Sequence, residues 1–248
     1  MKFTKQWAML SLSYDLHVHS CLSPCGDNEM TPANIAGMAF VKGLDVIALT
    51  DHNSSKNCEA VKKAAESYGL TVLCGMELTT QEEVHVVCLF SELKKAMRWD
   101  SYVYERLLKI PNDADIFGKQ LVMDAEENIL YEEPYLLINA TDIAFDSVFS
   151  LVKSFGGVAF PAHIDKTSNS LISNLGFIPP ESSFNCVELK NPDNFKRLSG
   201  QFPYLCSCKV LINSDAHYLQ DISEPVNFLH SKTKSAQDIL EALEGKKV

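Results

Sequence analysis

Short apolar runs alternate with helical stretches along most of the chain. Leu12 to Val18 reads as a strand that ends in polar residues. Thr31-Pro32 then offers an N-cap followed by proline at the first helical position, which predicts a helix to about Lys42, stopped at Gly43. Asp45 to Leu49 is apolar enough for a strand covered on both faces. Lys56 to Tyr68 reads as a helix ended by Gly69, and Thr71 to Cys74 and Val84 to Phe90 as further strands. The alternation returns with a helix from Asp142 to Phe155 and strands at Val158 to Pro161, Cys186 to Leu189, Lys209 to Asn213 and Val226 to Leu229. A last helix spans about Ala236 to Leu243. This β-α rhythm predicts an α/β fold around a parallel sheet.

Between about residues 91 and 140 the rhythm breaks. Trp99 to Ile110 reads as a helix, Pro111 to Asp115 as a breaker cluster, and Gln120 to Tyr131 as a hairpin around Asp124 to Asn128. The expectation is one domain over residues 1–248 with an insertion at about 91–140 lying over one face. The aromatic residues there, Trp99, Tyr102, Tyr104, Phe117 and Tyr131, suit either a cover over a site or a small core belonging to the insertion itself.

Composition narrows the function classes. The chain is 46% apolar and 22% charged, ordinary for a soluble globular protein. No run approaches the roughly 20 apolar residues that span a bilayer, and Met1 to Ser13 is too poor in apolar residues for a secretory signal. The eight cysteines include no C-x-x-C pair, and Cys74 and Cys88 lie inside apolar runs, so reduced thiols and a cytoplasmic location are expected. The net charge of −10 argues against binding a long stretch of nucleic acid. A small anionic substrate held by metal ions is compatible with it.

The chemistry gathers where the apolar runs end. His17 and His19 flank Val18, so both side chains face one side of a strand and can grip one cation. Asp51-His52 follows Thr50, Glu77 follows Gly75-Met76, His85 lies in an apolar strand, His163 follows Ala162, and Ser214-Asp215-Ala216-His217 closes a later strand. Any one histidine of this kind has an ordinary explanation as a hydrogen-bonded core or loop residue. Together they would bury many charges without partners unless cations compensated them. His230 has no carboxylate companion and reads as a surface residue or a support to a ligand.

Taken in order, H-x-H, T-D-H, G-x-E, a strand histidine, A-H and S-D-A-H, this set resembles the PHP family, named for polymerase and histidinol phosphatase. The resemblance implies a distorted (β/α)7 TIM-like barrel, two or three divalent ions (zinc, manganese or iron), and hydrolysis of phosphate esters by a metal-bound hydroxide. Carried over, His17 and His19 with Asp215 resemble ligands of a first metal. Glu77 resembles a carboxylate bridging to a third, which His85 and His163 complete, while His52 and His217 resemble ligands of the second. The carboxylates expected to serve catalysis are Asp51, Glu77 and Asp215, with Asp51 orienting a ligand or the water.

The chain departs from the family pattern after H-x-H, where relatives supply an Asp or His to the second metal. Here Cys25 is expected to fill that place, with Asp27 as rival or the place left to water. It departs again after His163, where many relatives have proline and this chain has Ile164-Asp165-Lys166. Lys166 and Lys190 follow strands and are candidates to grip a phosphate. The expected activity is hydrolysis of a small phosphomonoester or related phosphometabolite. The alternatives are a 3'-5' exonuclease or nucleotide phosphodiesterase, and a non-catalytic metal-binding protein. An amidohydrolase would want a strand-borne lysine bridging two metals, and no strand offers one.

Overall fold

The computed structural model describes residues 9–245. β1 (Leu10–Val18) pairs in parallel with β2 (Val46–Leu49), which pairs in parallel with β3 (Thr71–Thr79). β3 turns back at once into β4 (His85–Phe90), an antiparallel hairpin running from Cys74 opposite Phe90 to Thr79 opposite His85. β7 (Gly157–Pro161) pairs antiparallel with β4, and β10 (Phe228–Ser231) pairs antiparallel with the start of β1. Among the described residues these six strands form one sheet, in the order β10-β1-β2-β3-β4-β7. β8 (Cys186–Glu188) and β9 (Lys209–Leu211) form a separate parallel pair.

The fold is α/β as expected, but its sheet is mixed where the β-α rhythm predicts a parallel one, and the described residues curl into a half-barrel in place of a complete distorted (β/α)7 barrel. Single contacts carry the curl onward: Ile164 N donates to the Glu188 carbonyl at 2.9 Å, and His19 N to the Ala216 carbonyl at 3.0 Å. α8 (Ala236–Glu244) packs Ile239, Leu240 and Leu243 beneath the inner core of the curl, against Leu12, Leu16, Leu73, Val87 and Phe160. α1 (Pro32–Val41), α2 (Cys58–Ala65), α3 (Leu93–Tyr104) and α5 (Phe145–Ser154) bury Ile35, Val61, Trp99 and Phe145 against the outer face. Thr31 caps α1, its side chain accepting from Asn34 N, with Pro32 at the first turn as its sequence predicts.

Alternation along the strands decides which side chains reach the mouth. In β3 the outer core takes Val72, Cys74, Met76 and Leu78, so Leu73, Gly75 and Glu77 face inward. β4 sends His85, Val87 and Leu89 inward by the same rule, with Val86, Cys88 and Phe90 outward. β1 changes phase. Leu12, Tyr14 and Leu16 belong to the inner core, whereas Val18 packs outside, and the register with β2 shifts between Asp15 and Val18. That irregularity turns His17 and His19 to the inside.

The insertion is smaller and better anchored than a loose cover. Its first helix is α3, six residues earlier than Trp99 and ending at Tyr104, because Trp99 is fully buried against Phe90, Tyr102 and Phe155 of the main core. A short α4 (Ala114–Phe117) and the hairpin of β5 (Leu121–Met123) and β6 (Ile129–Glu132) follow, and α6 (Leu171–Leu175) and α7 (Phe195–Gln201) lie later in the chain. Leu22, Leu107, Val122 and Leu137 make a small core under the insertion. The hairpin is tied down by Asn57, whose side-chain amide donates to the Leu121 carbonyl at 3.0 Å and accepts from Met123 N at 2.9 Å. No helix among the described residues is long and apolar enough to cross a membrane.

Candidate metal centre

Eight of the side chains singled out by sequence meet at one mouth: His17, His19, His52, Glu77, His85, His163, Asp215 and His217. β1 supplies His17 and His19, the turn after β2 supplies His52, and β3 ends near Glu77. His85 arrives from the start of β4, not from a strand end, since the hairpin reverses the chain and returns it to the same rim. His163 and Asp215 sit in the left-handed region, with φ of 27° and 55°, a conformation that costs energy and is kept where the surroundings fix it.

Donor atoms converge closely. His17 Nε2 and His19 Nε2 are 3.1 Å apart, and each approaches Asp215 Oδ1, at 3.4 and 3.3 Å. Glu77 lies between the groups. Its Oε1 is 2.9 Å from both His85 Nδ1 and His163 Nε2, and its Oε2 is 3.1 Å from His52 Nδ1. Three sets of ligand atoms each lie within 4.8 Å of one another: His17, His19, Glu77 and Asp215; His52, Glu77 and His85; and His19, His52 and His217. Buried His52 Nδ1, Glu77 Oε2, His85 Nε2 and His163 Nδ1 have no hydrogen-bond partner. Unpaired buried donors and acceptors are costly, so a mixed nitrogen and oxygen set converging in this way fits divalent cations.

The electrostatics agree. Burial would raise the Glu77 carboxyl, but His85, His17, His52 and the hydrogen bond from His163 hold it well below the usual carboxylate range. Burial acts likewise on Asp215, and the charge of His17 and the hydrogen bond from His19 pull it down. Burial disfavours charge on His17, yet Glu188, Glu77 and Asp215 outweigh it and keep its pKa well above the ordinary imidazole value. His19 is raised in the same sense, against burial, by hydrogen bonds with Asp215 and Glu77. Burial, with further positive charge from His19, lowers His52 well below that value and His217 to about 4. The anionic carboxylates and neutral imidazoles that metal ions require are thus partly in place.

Supporting groups fix the ring orientations. His217 Nδ1 donates to the Asp215 carbonyl at 2.8 Å. His19 Nδ1 meets Ser23 Oγ at 2.9 Å, and Ser23 donates to Asp51 Oδ1 at 2.7 Å. Asp51 also accepts from Ser20 N and Ser20 Oγ, both at 2.7 Å, so its carboxylate is engaged behind His19 and does not line the cavity. Glu188, which the sequence reading passed over, is buried with both oxygens on His17 Nδ1, at 3.0 and 3.1 Å. Strand alternation was the available signal: Cys186 faces the inner core and Glu188 shares its parity.

His52, Glu77, His85, His163, Asp215 and His217 line a cavity of about 170 Å³ together with Cys25, Ile138, Lys166, Ser168 and Asn169, while His17 and His19 are fully buried and do not line it. Lys166 lies in it, its ammonium on Asp215 Oδ2. Lys190 is not brought there; its ammonium donates outside to the Ser214 carbonyl. Cys25 lines the cavity but stands outside the three close groups. The residue is exposed to solvent overall, yet partial desolvation of its thiol at the cavity together with the charge of Glu77 pushes it up to about 12. Its loop is tight, since a side chain on Gly26 would meet the Ser20 carbonyl oxygen at 2.3 Å. Asp27 is turned away, its Oδ1 accepting from Glu29 N at 2.8 Å. His230 is exposed inside β10, opposite Ser11, away from this cavity.

A curled α/β sheet with histidines and carboxylates converging at its rim defines a metal-dependent hydrolase class. The PHP domain matches residues 15–170, and the chain belongs to that family, which places it among hydrolases of phosphate esters. Over 83 residues it is 31% identical to a 5'-3' exoribonuclease of Haemophilus influenzae, a stretch covering 32% of this chain and 29% of that protein. Its fold is similar to that of the lesion-specific endonuclease Q of Pyrococcus furiosus, with a TM-score of 0.65 and 17% identity over 96% of this chain and 57% of that one. A protein of Bifidobacterium adolescentis assigned as a metal-dependent phosphoesterase is similar at a TM-score of 0.53 and 17% identity, covering 85% of this chain and 90% of that one. The chain thus spans less than a third of the exoribonuclease and little more than half of the endonuclease.

Proposed function

We propose that this chain is a metal-dependent phosphoesterase that hydrolyses a small phosphomonoester or related phosphometabolite, in a reducing, cytoplasmic setting. The observation that carries the reading is the convergence of His17, His19, His52, Glu77, His85, His163, Asp215 and His217 on one another, with the last six of them lining one cavity. His17, His19, Asp215 and Glu77 would hold one divalent ion, His52, His217 and Cys25 a second, and Glu77, His85 and His163 a third. Zinc, manganese and iron all suit such donors, and bound there they supply Lewis acidity and lower the pKa of water.

The chain's own residues do the rest. Glu77 shares its charge between neighbouring positions and draws them together. Lys166, the ammonium group at the cavity, is placed to bind a phosphate oxygen once its contact with Asp215 is exchanged. Asp51, through Ser23, keeps the His19 ring in one orientation. Ile138 gives the cavity an aliphatic wall against which the non-phosphate part of a substrate can rest. A cavity of about 170 Å³ suits one phosphoryl group, with the remainder of the substrate outside it.

A second reading is hydrolysis at a nucleic-acid end or lesion. The similarity to an exoribonuclease and to endonuclease Q favours it and tempers the expectation that nucleic acid is not a partner. The net charge of −10 weighs on the other side. A panel of phosphometabolites beside end-labelled DNA and RNA, assayed with manganese, separates the two. Turnover of phosphomonoesters without shortening of the oligonucleotides supports the first reading, and the reverse supports the second.

A further inference from the structure

Glu188 closes β8 on the inner side of the sheet, and three donors from three other segments converge on it. His17 Nδ1 on β1 lies 3.0 and 3.1 Å from its two oxygens. His163 N, just beyond β7, donates to Oε1 at 3.0 Å, and Asn213 Nδ2, just beyond β9, donates to Oε2 at 2.6 Å. Asn213 is itself held by Leu16 N, which donates to its Oδ1 at 2.9 Å, so its amide must present hydrogens to Glu188. The carboxylate is buried, does not line the cavity, and has no face left for a ligand of its own.

We infer that Glu188 is the positioning residue of the cation cluster, keeping His17 protonated at Nδ1 and its Nε2 turned, as a lone-pair donor, toward His19, Glu77 and Asp215. The assignment rests on the proposal that this cluster holds divalent cations. Only an acceptor-only group satisfies all the donors that meet there. A glutamine in its place would set its own NH2 against one of them, and the imidazole is the partner free to yield, by moving its proton to Nε2. The bond to His163 N serves the same end, since it braces a residue at φ 27° whose Nε2 then meets Glu77 at 2.9 Å. Glu188 therefore governs donors on both sides of Glu77 without touching an ion. Partners of this kind typically account for a 10- to 100-fold difference in metal affinity, roughly.

The test compares the wild-type chain with Glu188→Gln and Asn213→Ala, at a temperature where circular dichroism shows all three folded. Manganese affinity is measured by chelator competition, and the His17 tautomer by long-range proton–nitrogen NMR of the zinc-loaded protein. Glu188→Gln is expected to lose roughly 10- to 100-fold in affinity for the tightest-bound ion, with His17 no longer held as the Nδ1–H form. Asn213→Ala leaves the carboxylate on His17 and should lose less, with the tautomer kept. Wild-type affinity and an unchanged tautomer in Glu188→Gln would overturn the assignment. So would an equal affinity loss in both variants with His17 unaltered, which would mark the effect as packing. A wild-type chain that binds no divalent cation would instead overturn the reading on which the assignment rests.

Discussion

Replacing Glu77 by glutamine should dismantle the centre more than any other single change. The carboxylate meets His85 and His163 at 2.9 Å, His52 at 3.1 Å, His17 at 3.3 Å and His19 at 3.4 Å. Glutamine keeps the shape but removes the charge, and it turns one oxygen into an NH2 that faces imidazole nitrogens. Removing one partner of a buried charged pair costs about 3–5 kcal/mol. At roughly 1.4 kcal/mol per factor of ten, metal affinity should fall about 100- to 4,000-fold. The metal-free protein should suffer as well, because Glu77 balances the charge held on His17 and His19. For a chain of this size that cost corresponds to a midpoint lower by roughly 6–20 °C. Chelator competition with manganese and elemental analysis after dialysis measure the first effect, and scanning calorimetry of the metal-free protein the second. A Glu77→Gln variant with the wild-type metal count and affinity would refute the reasoning.

The raised pKa values of His17 and His19 set a pH dependence. Their protons stabilise the metal-free fold fully below the ordinary imidazole value of 6.5 and lose that effect as pH rises through the raised values. Cations compete for the same nitrogens, so metal affinity should climb with pH while the metal-free melting point falls, and melting curves from pH 6 to 9 with and without manganese should diverge. Lys166→Met should raise KM about tenfold in a phosphatase assay, whereas Lys190→Met should leave KM and kcat unchanged, since only Lys166 reaches the cavity. Cys25→Ser should lower metal content by one equivalent and Asp27→Asn should not, because Cys25 lines the cavity and Asp27 caps a turn. Equal metal content in Cys25→Ser and wild type would remove the thiol from the ligand set.

Much of the fold was legible because the apolar runs are long and well punctuated. The helix at Thr31-Pro32 and the hairpin around Asp124 to Asn128 lie where their caps and turn residues predicted. Strand direction was not legible, since a buried apolar run reads the same whichever way it pairs. The β3–β4 hairpin therefore reads as strands of a parallel sheet, and His85 as a ligand inside a strand, when it stands on the rim. Local pattern likewise places the α3 helix too late, and Trp99, which by sequence suits either a cover or a small core of the insertion, is buried in the main core. At the site, His17, His19, His52, Asp215 and His217 were advertised by a neighbour, as in H-x-H, T-D-H or S-D-A-H, whereas Glu77, His85 and His163 were found through strand ends and the order of the family's motifs. Glu188 had no such neighbour; its role comes from three partners distant in the chain.

The central claim is that the cluster holds divalent cations that drive phosphoester hydrolysis. The most direct measurement is release of phosphate from p-nitrophenyl phosphate and a phosphometabolite panel by metal-stripped protein, before and after addition of manganese, zinc or iron(II). His17→Ala and Asp215→Asn run beside it, each checked for fold by circular dichroism. The account predicts no turnover by stripped protein, recovery on adding metal, and no recovery in either variant. Turnover by stripped protein equal to that of loaded protein, or full activity in either variant, would contradict it.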